Sequence, residues 1–171
     1  YPLKKVEIPS ADLGNRGLLF AGIGWYTRLE FPYLNNIMEH GEYVHIEKAG
    51  LKIYPEYGTY SDFNALPDSI FLYIADENNV VTDAVKDYLG KQVQGGKLVK
   101  DDLFLGNTYY YFDVTQFMKE ELGASGKYKH NLQLVFNSDD YTKTLKNLTF
   151  SAPNGQNPII LQLNYKIYES Y

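Results

Sequence analysis

The 171-residue chain contains no cysteine. That removes disulfide staples, thiolate metal sites and a cysteine nucleophile together, and it leaves the redox compartment open. There is no surplus of positive charge either: 16 Lys and Arg stand against 21 Asp and Glu, for a formal charge of −5. No basic cluster is denser than Lys4-Lys5, so the footprint that nucleic acid requires is missing. No apolar run approaches the roughly 18 residues of a membrane-spanning helix. Low-complexity linkers and internal repeats are lacking too, and one domain of this length buries roughly 70% of its unfolded surface. The chain opens on Tyr1-Pro2 rather than Met, as expected of a trimmed chain or a mature fragment, so the presence of a targeting segment stays open. What is abundant is tyrosine, 17 residues, beside 9 Phe and 1 Trp. Such aromatic wealth favours strands over helices.

Periodicity gives the same answer along the chain. Residues 1–16 carry two prolines and little pattern, and read as an N-terminal arm. From 17 to 31, Leu19, Ala21, Ile23, Trp25, Thr27, Leu29 and Phe31 occupy alternate positions, which predicts one long strand with Trp25 in the core. Pro32 ends it. Leu34, Ile37 and Met38, followed by Gly41, predict one or two helical turns. Between 43 and 54, Val44 and Ile46 are apolar on even positions, then Ala49, Leu51 and Ile53 on odd ones. A change of phase inside a strand predicts a bulge near Lys48. Residues 55–67 form a turn-rich loop. Residues 69–75 (SIFLYIA) are apolar on both phases, as in a central strand, and 76–79 (DENN) form a turn.

Residues 80–100 admit two readings. Val81, Val85, Tyr88 and Leu89 suit a helix capped by Thr82, whereas Val80-Val81 suits the start of a strand. Gly95-Gly96 reads as a hairpin turn. Strands follow at 109–114, 131–136 and around Leu148 and Phe150, with a helix from Thr115, capped by it or by Asp113, to Gly123. The last segment alternates from Ile159 to Tyr168. The class that results is all-β: an antiparallel β-sandwich of jelly-roll type over residues 17–171, with two short helices at crossovers.

Three stretches in order, RLEFP (28–32), HIEKAGLKI (45–53) and YFDVT (111–115) with NLQL (131–134), resemble jelly-roll modules of bacterial extracellular proteins. Together with the final LQLNYKIY, they are similar to the C-terminal part of a Bacteroidetes-type surface lipoprotein family that has no assigned activity. The resemblance covers about residues 17–168 and implies a β-sandwich exported to the outer-membrane surface or the periplasm. It brings no catalytic residue. The family's lipid-bearing cysteine is not among these residues, so membrane association would run only through an anchor outside the chain.

The chemistry-bearing residues form no recognisable catalytic motif. His40, His45 and His130 lack metal-ligand spacing. Gly22-Ile23-Gly24 lacks the third glycine of a dinucleotide loop. Asp101-Asp102, Glu120-Glu121 and Asp139-Asp140 are adjacent in sequence, and neighbours on a strand point to opposite faces. The acidic turns at 76–79 and 137–140 suit Ca²⁺ or plain turn chemistry. No enzyme, metal or cofactor is expected. The tyrosines carry the functional reading, because exposed rings offer platforms to sugars and anchors to proteins. Tyr54, Tyr57 and Tyr60 crowd one loop, and Tyr109, Tyr110 and Tyr111 one strand. In the loop, where no periodicity buries them, Tyr57 and Tyr60 with Asp62 and Asn64 are the candidate ligand-binding residues. The expected function is a surface binding module for a glycan or host polymer. The alternatives are a structural subunit packing against another outer-membrane protein and, as a minor one, a glycoside hydrolase.

Overall fold

A computed structural model describes residues 6–34, 36–37, 43–87, 89–90, 93–101, 103, 107–125, 130–151 and 158–168. Within them the strands are β1 Arg16–Phe20, β2 Thr27–Leu29, β3 Tyr43–Ile53, β4 Ser69–Ala75, β5 Val81–Ala84, β6 Gly95–Val99, β7 Tyr109–Asp113, β8 Asn131–Val135, β9 Asn147–Ser151 and β10 Ile160–Tyr168. Helix α1, Thr115–Ser125, lies between β7 and β8, and α2, Ser138–Lys143, between β8 and β9. One curled sheet runs in the order β10-β3-β7-β6-β4-β8-β2, with β5 beside β4, and β1 and β9 form a separate two-stranded ribbon. Every pairing is antiparallel. Leu19, Leu148 and Phe150 of the ribbon share one core with Leu51, Ile53, Ile70, Leu72, Phe112 and Leu134 of the large sheet. The fold is the all-β sandwich that the pattern implies, with α1 where a helix is expected and α2 where the acidic turn at 137–140 is expected.

The phase change in β3 is a bulge. Its pairing with β10 steps from Lys48–Asn164 to Ile46–Tyr165 and leaves Glu47 as the extra residue. Ile46 on one side of that residue and Ala49, Leu51 and Ile53 on the other all reach the core. The start of α1 is tied to the same strand. Asp113 Oδ1 accepts the Thr115 N–H at 3.0 Å, and the Thr115 hydroxyl accepts the Ala49 N–H at 2.9 Å. Asp113 therefore does the capping, while Thr115 joins helix to sheet. The helix runs through Gly123 rather than stopping there.

Several expectations change or are settled. Residues 17–31 are two strands, not one. Phe20 and Trp25 exchange backbone bonds of 3.1 and 2.9 Å around a tight turn, and Gly24 completes it at φ +66°. The chain reverses at Gly22 to Gly24, so β1 joins β9 and β2 joins β8. Leu19, Ala21 and Leu29 bury as expected, but Ile23 is exposed at the turn and Trp25 is half-buried outside the core cluster. The described part of 80–100 is strand rather than helix: Val81 pairs with Ala75, and the Thr82 hydroxyl bonds the Ile74 carbonyl. Gly95 and Gly96 lie in β6 and not in a turn; the chain reverses between Lys86 and Val93, where Gly90 has φ +68°. After Pro32 the expected helical turns are of the tighter 3₁₀ kind, with Leu34 and Asn36 bonding three residues back. Met38, His40, Gly41 and Tyr88 lie outside the described residues. In β10 the alternation holds for half-buried Leu161 and Leu163, whereas Tyr165 and Ile167 are exposed because the strand is a sheet edge.

Gly96 has a packing reason. A Cβ there would stand 2.1 Å from Phe112 Cζ, so the fully buried Phe112 ring occupies the space that a side chain would take. On the same strand the Tyr110 hydroxyl donates to the Pro67 carbonyl at 2.7 Å, inside the core. Burial first, and the charge of Asp68 second, push its phenol far above the ordinary tyrosine range.

Two predictions follow from this packing. Gly96→Ala overpacks Phe112 and should cost about 1–3 kcal/mol, about 2–4 °C of melting temperature per kcal/mol at this size. Gly95→Ala, whose Cβ meets Phe71 at an ordinary 3.4 Å, should shift it far less; equal shifts in thermal melts would contradict this account. Because the folded Tyr110 phenol titrates above its unfolded value, its contribution is complete below about pH 10 and is lost as pH rises further. The alkaline fall in stability should be shallower in Tyr110→Phe, measured by denaturant midpoints between pH 8 and 11.

Candidate functional site

The loop 55–67 rests on the β1–β9 ribbon. The Glu56 N–H donates to the Thr149 carbonyl at 2.8 Å, and Arg16 donates to Glu56 Oε1 through Nη2 at 2.7 Å and Nε at 3.0 Å. The Asn64 amide donates to the Thr59 carbonyl and to Asn147 Oδ1, at 3.0 and 3.1 Å. Asn64 therefore braces the loop from inside. Tyr60 is half-buried and bonded to the Thr108 side chain; burial first, and neighbouring Tyr57 second, push its phenol up. Tyr57, at 70% exposure, and Asp62 lie on the surface. The four candidate residues thus divide into two that face solvent and two that hold the loop. Phe63, between Asp62 and Asn64, is fully exposed, and sequence reasoning missed it. The available signal was a lone apolar ring inside a polar S-D-F-N turn.

The second tyrosine run arrives beside the first. Ile53 and Tyr110 are paired and buried, so Tyr54 and Tyr109 turn to the opposite, outer side of the sheet. Their ring centroids stand 5.5 Å apart with planes at 49°. The Lys52 ammonium lies 5.0 Å from the Tyr109 centroid, a cation–π contact. Lys52 pairs across the strands with Tyr111, and Tyr111 pairs with Lys97 on the far side. The Tyr111 ring covers Gly50, where a Cβ would come within 2.9 Å of its hydroxyl. Tyr54, Tyr109 and Tyr111 are all half-buried, so part of each ring meets solvent. The Thr108 that holds Tyr60 is the residue before Tyr109, which puts the loop at the margin of this face. Tyrosine rings with two lysines among them can stack on sugar rings and meet anionic or hydroxyl groups. Among the described residues no nucleophile and base are paired there.

The other candidates are committed elsewhere. Asp76 Oδ1 accepts the N–H groups of Asn78 and Val80, which is turn chemistry. Asp140 takes the Lys146 ammonium at 3.0 Å. His130 pairs through Nδ1 with the buried Glu121 at the end of α1, and His45 is exposed on β3. Among the described residues no three His, Asp or Glu gather as a metal site, and no helix is long and apolar enough to cross a membrane. A cleft of about 280 Å³ opens between the β3 bulge and α1, lined by Glu47, Lys48, Asp113, Thr115, Gln116 and Lys119. Its two carboxylates are engaged: Glu47 with Lys166, which holds its carboxyl below the ordinary range, and Asp113 with Thr115.

No protein-family model matches this chain, and neither a curated protein nor a solved structure does.

The division within the loop is testable by chemical denaturation. Asn64→Ala removes two internal hydrogen bonds and should cost about 1–2 kcal/mol, whereas Tyr57→Ala should stay within about 0.5 kcal/mol. Equal costs would mean that Tyr57 is part of the loop's support.

Proposed function

We propose that this chain is a non-catalytic binding module that lays a glycan or similar extended polymer across Tyr54, Tyr109 and Tyr111, with Tyr57 and Asp62 at its margin. The observation that carries the reading is the meeting of Tyr54 and Tyr109 from distant parts of the sequence on one open sheet face. Ligand sites on rigid strands keep their geometry without the ordering cost that a mobile loop would add. The polar groups around the rings, Lys52 and Lys97, suit hydroxyls or acidic substituents. The place of action proposed is the cell envelope, at the outer-membrane surface or in the periplasm, and it rests on the resemblance of the RLEFP, HIEKAGLKI and YFDVT stretches. The commitment of Glu47 and Asp113 weighs against glycoside hydrolysis, which needs one carboxyl kept protonated near neutrality. A second reading, a subunit packing on another surface protein, draws on Phe63, since a fully exposed ring is a typical interface anchor.

Titration calorimetry against a panel of soluble polysaccharides separates the two readings. Tyr109→Ala should weaken glycan binding about tenfold or more, the scale of a hot-spot aromatic at ~1.4 kcal/mol or above, while Phe63→Ala leaves it unchanged. No polysaccharide bound, with a surface protein captured only when Phe63 is present, would overturn the first reading in favour of the second.

A further inference from the structure

β10 ends the large sheet. It pairs with β3 on one side, and among the described residues no strand lies on its other side. Proteins usually blunt such an edge with proline, a bulge, a short length or several charged side chains. β10 has no proline, runs for nine residues without interruption and leaves the bulge to its neighbour β3. It carries a single charge, Lys166, which forms a surface ion pair with Glu47 of β3. Ile160, Tyr165 and Ile167 stay 38–42% exposed along it.

The residue order of β10 says what fits that edge. Turned end for end about Asn164, the strand opposes Ile160 to Tyr168, Leu161 to Ile167, Gln162 to Lys166, Leu163 to Tyr165 and Asn164 to itself. Apolar meets apolar and polar meets polar at every position, and each opposed pair shares a face of the sheet. A shift of two residues either way breaks the match, placing Ile160 against Lys166 or Gln162 against Tyr168. The chain as a whole is acidic, but this strand adds no net repulsion. We propose that the occupant of the β10 edge is a second copy of the same chain, paired antiparallel about Asn164 in a two-fold dimer whose large sheets run on continuously. Such an interface is isologous, so each contact occurs twice. The two-fold axis stands perpendicular to the sheet, which puts both tyrosine faces on the same side.

The test uses the exposed Gln162 and Asn164. By symmetry Gln162→Lys sets two lysines against Lys166 of the other copy, and Gln162→Glu sets two opposite charges there. Sedimentation equilibrium should show a reversible wild-type dimer, a dissociation constant roughly fivefold higher for Gln162→Lys and roughly fivefold lower for Gln162→Glu, as two cross-strand charge pairs imply. A second measurement fixes the register. In this cysteine-free chain, Asn164→Cys should form an intermolecular disulfide under mild oxidation, because the two positions face each other within bridging distance. Gln162→Cys should not, because its copies lie four residues, roughly 13 Å, apart along the strands. A wild-type monomer at every concentration, the same response from both charge variants, or cross-linking at 162 as readily as at 164 would overturn the proposal.

Discussion

The large sheet is spliced at one place, where the Phe112 ring lies over Gly96. β6 is five residues long, and it gives Gly95, Gly96 and Lys97 to β4 and Lys97, Leu98 and Val99 to β7. On one side of that splice lie β7, β3 and β10; on the other lie β4, β8 and β2. The ring fills the volume that a Cβ would claim, and the Tyr110 hydroxyl ties the same strand to the backbone just before β4. The device recurs in the ribbon, where Phe150 covers its cross-strand partner Gly17. A bare glycine beneath an aromatic ring lets two strands approach closely and still buries a large apolar area. The outer face depends on this inner fixation. Tyr109 and Tyr111 alternate with Tyr110 and Phe112, so the residues that lock β7 into the core also aim these two tyrosine rings outward.

Much of this architecture was legible in the sequence because it rests on local alternation. The bulge in β3 could be read from the change of phase between Ile46 and Ala49, and β4 from an apolar run with no phase at all. Alternation fails where the chain turns without breaking it. Leu19, Ala21 and Leu29 keep odd numbering across a reversal, so two short strands in different sheets look like one long strand. Gly95-Gly96 misled for a related reason: glycine signals both a turn and the close approach of a ring, and only Phe112, from another strand, decides between them.

The candidate site was half legible. Tyrosine abundance, and its two clusters, could be seen directly. Their meeting could not, because it depends on the register Ile53–Tyr110, which joins segments far apart in sequence. Within the loop, the lack of periodicity marked Tyr57 and Asp62 as surface residues but could not reveal that Asn64 and Tyr60 have partners in β9 and next to β7. Irregular backbone must satisfy its polar groups by side-chain hydrogen bonds, and those bonds leave no pattern in sequence.

The place of β10 in the sheet also bears on how the chain folds. The segment from β4 to β7 is nearly a meander, whose pairings close short loops. β3 must wait for a strand from the far end of the described chain, and contacts of that kind are slow to form. Until β10 arrives, the backbone edge of β3 is open beside Ala49, Leu51 and Ile53, which are fully buried in the finished molecule. An unfilled edge next to apolar residues is the usual starting point of aggregation during folding. Refolding yield should therefore be limited by capture of β10, so that dilute conditions or an added β10 peptide would act on recovery rather than on final stability.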